Sequence, residues 1–114
     1  MNHRYRLTRS RDFDAVYRQG RSVSTRYLVL YWFPREGDGE PRLGLAVPKS
    51  VGKAAVRNRI KRRLRELWCA RLDGIPPGHD YVLVVREGLP EAAETRGSGW
   101  LGERLGEVLG KAAV

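Results

Sequence analysis

Apolar positions along the chain follow two rhythms, one with a period near 3.6 residues and one with a period of two. Phe13, Val16 and Tyr17 stand at i, i+3 and i+4 and predict a short helix over roughly 11–19. Ser10 is placed to cap it, Asp12 and Asp14 fall in its first turn where the helix dipole favours anions, and Gly20 follows as a stop. Residues 22–33 are rich in β-branched and aromatic types, and Tyr27-Leu28-Val29-Leu30-Tyr31-Trp32-Phe33 reads as a central strand apolar on both faces. Gly37, Asp38 and Gly39, between Pro34 and Pro41, supply turn chemistry. A strand over 42–47 follows, with Leu43, Leu45 and Val47 on one face; Pro48 ends it, because proline cannot donate to a ladder.

The strongest helical pattern runs over 52–72 and stops before Gly74, Pro76, Pro77 and Gly78. Tyr81-Val82-Leu83-Val84-Val85 reads as another buried strand. Residues 89–112 carry one apolar stripe, Leu101, Leu105, Val108 and Leu109. They form a weaker helix, because each interior glycine costs about 1 kcal/mol relative to alanine. The order is α-β-β-β-α-β-α, an α+β sandwich of one sheet and its helices in a single domain over 1–114, with residues 1–9 as a flexible basic arm.

Charge adds a partner to this outline. The chain of 114 residues has 22 Lys and Arg against 13 Asp and Glu, a net charge of +9. The excess is segregated: residues 1–71 sum to +12 and residues 72–114 to −3. Coding bias in GC-rich genomes can raise arginine over lysine, but it does not segregate charge. A concentrated positive field predicts a polyanion as ligand.

The helix over 52–72 concentrates this signal. Val56, Ile60, Leu64, Leu67 and Trp68 fall within about 120° of one another around its axis and form a core-facing stripe. Asn58, Lys61, Arg62 and Arg65 occupy the opposite side, Arg57 borders the stripe, and Arg59 and Arg63 flank its other edge. Neighbouring cations one turn apart stand about 6 Å from each other, close to the phosphate spacing of a nucleic-acid strand. A run of mixed charges on a helix is ordinarily just a solvated face. Here Glu66 is the sole acid from Lys53 to Arg71, so like charges at i, i+4 repel and favour a bound polyanion. RNA fits, and double-stranded DNA is left open, since such a helix could enter a major groove.

The run Arg57-Asn58-Arg59-Ile60-Lys61-Arg62-Arg63-Leu64-Arg65-Glu66 resembles the signature of the bacterial ribonuclease P protein family. Before it, Arg42-Leu43-Gly44-Leu45-Ala46-Val47-Pro48-Lys49 and Val51-Gly52-Lys53-Ala54-Ala55-Val56 resemble the family's preceding strand and turn. Arg6-Leu7, Asp12-Phe13, Val16-Tyr17, Gly20, Ser22, Leu28-Val29-Leu30-Tyr31 and the later Asp80-Tyr81-Val82-Leu83-Val84-Val85-Arg86 extend the likeness over about 6–86. The resemblance implies an α+β sandwich with a left-handed βαβ crossover, against the usual handedness. It implies a protein that binds the ribonuclease P catalytic RNA and precursor tRNA while that RNA, with its own Mg2+, removes the 5′ leader. By position, Lys49, Lys53, Arg57, Asn58, Arg59, Lys61, Arg62 and Arg65 would meet the catalytic RNA. Phe13, Tyr17 and Tyr31 match a cleft for the single-stranded leader, although ordinary core packing would account for Phe13 and Tyr17 without the family. Ser50 departs from the pattern, since a second lysine often follows there, and the acidic C-terminal region carries over no RNA contact.

No self-contained active site is legible. His3 and His79 are the only histidines and Cys69 the only cysteine, too few for a zinc set, and the protein itself is expected to bind no metal. A phosphate loop over 47–54 fails, with Val47 where its first glycine belongs and Ala54 where Ser or Thr should follow Lys53. A single cysteine and the absence of a long apolar run predict a cytoplasmic protein with no internal disulfide and no membrane span, and no protein partner is expected to be required. A ribosomal or DNA-associated binding module and a free-standing nuclease are the rival classes. The nuclease lacks acid–base candidates; the binding module would leave precursor cleavage unchanged.

Overall fold

The computed structural model describes residues 5–35, 39–97 and 99–114. Helix α1 (Ser10–Gln19) leads into strands β1 (Arg21–Ser24), β2 (Leu28–Pro34) and β3 (Arg42–Ala46). Helix α2 (Ala54–Ala70) follows, then strand β4 (His79–Val85) and helices α3 (Leu89–Arg96) and α4 (Trp100–Lys111). The order matches the sequence pattern, with the last helix divided where Gly97 takes φ 87°. The sheet runs β1-β2-β4-β3: β2 is antiparallel to both β1 and β4, whereas β3 and β4 are parallel and joined through α2.

Alternation assigns the two faces of this sheet. Leu28, Leu30 and Trp32 of β2 and Tyr81, Leu83 and Val85 of β4 join Leu43 under the helices, where Ile60, Leu64 and Trp68 of α2 and Leu101, Leu105 and Val108 of α4 complete the main core. On the other face Val16 of α1 packs with Val82 and Leu7, bordered by Phe13, Tyr31, Phe33, Ala46 and Val84. Two-sided burial explains why β2 and β4 read as nearly continuous apolar runs.

Three local expectations change. Ser10 does not cap α1: the carbonyl of Arg9 accepts from Asp12 and Phe13, so the helix begins one residue earlier and Ser10 lies inside it without a capping bond. Gly20 ends α1 from an extended conformation, not a left-handed one (φ −80°, ψ 171°). Its smallness is steric, because a Cβ there would lie 2.4 Å from the Val16 carbonyl oxygen and 2.6 Å from that of Trp32. The arm expected over 1–9 is anchored within the described residues: Leu7 is buried, its N–H donates to the Leu43 carbonyl at 3.0 Å, and Arg6 pairs in parallel beside Leu43. An apolar side chain with a vacant place in the second cluster outweighs the basic character of its neighbours. Residues 1–4, and 36–38 within the turn expected over 34–41, lie outside the described residues.

A partly buried ion pair joins β3 to β4 beside α1. Arg42 of β3 and Asp80 of β4 are register partners, and the guanidinium donates through both Nε and Nη2 to the Asp80 carboxylate at 2.7 Å each. Asp12 of α1 lies 3.9 Å from the same guanidinium. Hydrogen bonding to Asp80 raises the Arg42 pKa, against the opposing effect of its partial burial. Asp80→Ala is expected to lower unfolding free energy by about 1.5–3 kcal/mol, as for a charged hydrogen-bonded group left without its partner. Denaturant titration checks this; a midpoint equal to that of the parent protein would contradict it.

Candidate nucleic-acid interface

The apolar stripe read on α2 is the side that packs. Ile60, Leu64 and Trp68 are buried, with Leu67 partly buried against the same core. Three such side chains contribute roughly 1.5–3 kcal/mol each, whereas a repelling i, i+4 pair costs only a few tenths. Burial therefore fixes the helix and forces its cations outward.

The outer face has little internal compensation. Among the described residues no carboxylate lies within ion-pair distance of Lys53, Lys61, Arg62, Arg63 or Arg65. Arg59 reaches Glu94 of α3 at 3.7 Å, but both side chains are more than half exposed, and such surface pairs contribute little. Arg57 is half-buried and donates through Nε to the Gly52 carbonyl at 3.0 Å, so one edge of its guanidinium braces the turn before the helix. Asn58, Lys49 and Lys53 are exposed. Lys53 occupies the N-cap position with no acid in the first turn, adding a cation to the positive end of the helix dipole. These eight predicted contacts thus lie on α2 and the turn leading into it.

The three predicted cleft residues are brought together on the sheet face that carries α1. Tyr17 and Tyr31 meet edge to face at 5.0 Å, and the Phe13 and Tyr17 rings are 6.4 Å apart. Val16 is the residue of α1 that is fully buried; Tyr17 is 39% exposed, and Phe13 and Tyr31 are half-buried. Partial burial, then Tyr31 and Asp14, raise the Tyr17 pKa, so its hydroxyl remains neutral well above pH 7. A ladder of half-open rings can take unpaired bases by stacking with little sequence demand.

Two contributors to this face lie outside the predicted triad. Phe33 borders the same cluster as Tyr31, two residues along β2, and period-two alternation could have found it. Gly44 lets α1 approach: a Cβ there would stand 2.5 Å from the Phe13 ring. Only the folded contact reveals that role. Among the described residues no group of three or more His, Cys, Asp or Glu side chains converges as a metal site. No helix among them is long and apolar enough to cross a membrane.

Comparison with known proteins gives consistent matches. The family model described as Ribonuclease P matches residues 1–111. A ribonuclease P protein component from Geobacillus sp. (strain WCH70) is 40% identical over 95 residues, which cover 83% of this chain and 80% of that protein. The one from Desulforamulus reducens is 47% identical over 81 residues, 71% of either chain. Among solved structures, the ribonuclease P protein from Thermotoga maritima superposes with a TM-score of 0.83 at 34% identity, covering 96% of this chain and 98% of its own. The Staphylococcus aureus protein gives 0.83 at 30% identity, covering 96% of each.

Gly44→Ala is expected to destabilise the fold by about 1–3 kcal/mol through overpacking against Phe13. Gly20→Ala should do at least as much, since the atoms it meets are backbone carbonyls that cannot rotate away. Equilibrium unfolding of both variants measures this; parent-like stability at position 44 would contradict the close seat of Phe13.

Proposed function

This chain belongs to the ribonuclease P protein family, and on that premise we propose that α2 grips the catalytic RNA while the aromatic face beneath α1 receives the 5′ leader of precursor tRNA. It is the protein component of ribonuclease P, an endoribonuclease of tRNA 5′ processing, and its partner is RNA. The observation that carries the proposal is the row of α2 cations left without carboxylate partners among the described residues.

In this reading the two faces divide the work. Lys49, Lys53, Arg57, Asn58, Arg59, Lys61, Arg62 and Arg65 neutralise phosphates of the catalytic RNA, releasing counterions without reading sequence. Arginine suits this role, since its planar fork holds two phosphate oxygens at once. Phe13, Tyr17 and Tyr31 stack on unpaired leader bases at about 1–3 kcal/mol each. Hydrolysis belongs to the RNA and to magnesium ions that the RNA holds. The protein acts in the cytoplasm and needs no second protein: it positions the leader and lowers the repulsion between two RNAs.

Reconstitution tests the division of roles. Adding the protein to its catalytic RNA should lower the magnesium required for 5′ cleavage of a precursor. Unchanged cleavage would point to the rival class, a general RNA- or DNA-binding module. The α2 face is tested by Lys61→Ala and Arg62→Ala together, which should flatten the salt dependence of RNA binding by roughly 0.7–0.9 in log–log slope for each phosphate no longer neutralised. An unaltered slope would remove these side chains from the interface. Tyr17→Ala with Tyr31→Ala should weaken binding of leader-bearing precursor about tenfold or more and spare mature tRNA. Equal weakening for both ligands, in a variant that melts like the parent, would remove the cleft assignment.

A further inference from the structure

At the edge of the α2 surface, Arg6, Arg62 and Arg65 line one recess together with Glu66 and Cys69. Arg62 and Arg65 are set by α2, whereas Arg6 belongs to the segment before α1. The Arg6 backbone bridges Leu43 at the β3 edge, and burial of the adjacent Leu7 locks it there. Arg6 therefore meets α2 because the fold brings the N-terminal segment alongside β3, not because the two are near in sequence.

Three guanidinium groups face one carboxylate, and Glu66 forms no ion pair with any of them among the described residues. The Nε of Arg6 is buried without a hydrogen-bond partner, an unmet donor beside a recess already rich in positive charge. Partial burial and then the Arg6 charge push the Arg65 pKa below its ordinary value, as expected where like charges are held together. Such an arrangement costs stability in the free protein and is relieved by an anion able to accept from several guanidinium donors at once.

We propose that Arg6, Arg62 and Arg65 form a discrete phosphate-binding site that seats one phosphodiester of the bound RNA, with Arg6 as a ligand outside the α2 motif. The inference rests on α2 being the RNA-binding face, and it adds a specific seat to what is otherwise a row of separate cations. The sole cysteine of the chain supplies a local reporter, since Cys69 is exposed and lines the same recess.

The test uses the full-length protein and the ribonuclease P RNA. Parent, Arg6→Gln, Arg6→Lys and Lys61→Ala proteins are titrated with that RNA across a series of potassium chloride concentrations. Cys69 of the parent is alkylated with iodoacetamide, a neutral reagent, in the free and RNA-bound states. Arg6→Gln should lower the salt slope by roughly 0.7–0.9, one phosphate contact, while Arg6→Lys keeps the slope but binds more weakly than the parent. RNA should slow alkylation of Cys69 several-fold. Should Arg6→Gln misfold, Arg6→Lys keeps the proposal testable: weaker binding than the parent at an unchanged slope supports the seat, and parent-like affinity contradicts it. If Lys61→Ala lowers the slope but Arg6→Gln does not, the phosphate seat is wrong while the α2 interface stands, and Cys69 reacting equally fast in the complex would contradict the seat as well. If none of the substitutions alters the slope, the α2 interface itself is wrong and the seat falls with it.

Discussion

Cations spaced one helical turn apart repel each other, and on α2 they are held in place by the burial of Ile60, Leu64 and Trp68 on the opposite side. The core contribution of those three side chains exceeds the repulsion several-fold, so the fold can carry an uncompensated charge row as a permanent feature. The sheet supplies what the helix needs: a two-sided platform whose inner face takes α2 and α4 and whose other face takes α1. Placing the helices on both sides separates the cationic surface from the aromatic one. A single small domain thereby carries two surfaces of different chemistry, a row of cations and a set of partly open ring faces.

The Arg42–Asp80 pair matters to the second surface more than to the first. Its position on β3 and β4, with Asp12 of α1 nearby, holds α1 over the sheet where Gly44 gives room for the Phe13 ring. The aromatic face is thus framed by a partly buried ion pair, a glycine and the fully buried Val16 of α1. Its aromatic side chains remain partly open because the residues around them already satisfy the packing of the helix.

Much of this was legible in the sequence, for identifiable reasons. The α2 stripe and its cations follow from helical period alone, and β2 and β4 announced themselves by burial on both faces. Helix ends were less legible, because Ser10 and Arg9 differ by one residue and backbone geometry decides between them. The N-terminal segment misled for a different reason: its basic residues suggested a free arm, whereas one leucine, Leu7, finds a place in the second cluster. Arg42–Asp80 and Arg6–Arg65 could not be read at all, since each depends on strand pairing between distant parts of the chain. The cleft triad, suggested by family resemblance, is brought into one ring cluster by α1 crossing β2.

The four lysines of the chain give a direct test of whether the outer face of α2 meets RNA. Lys49, Lys53 and Lys61 lie on or just before α2, whereas Lys111 ends α4 and donates to the Ser24 carbonyl. Acetylation of each lysine can be followed by mass spectrometry in the free protein and in its complex with the catalytic RNA. The account predicts that RNA slows modification of Lys53 and Lys61 and leaves Lys111 unchanged. Equal rates at Lys61 in the free and fully bound protein would contradict it.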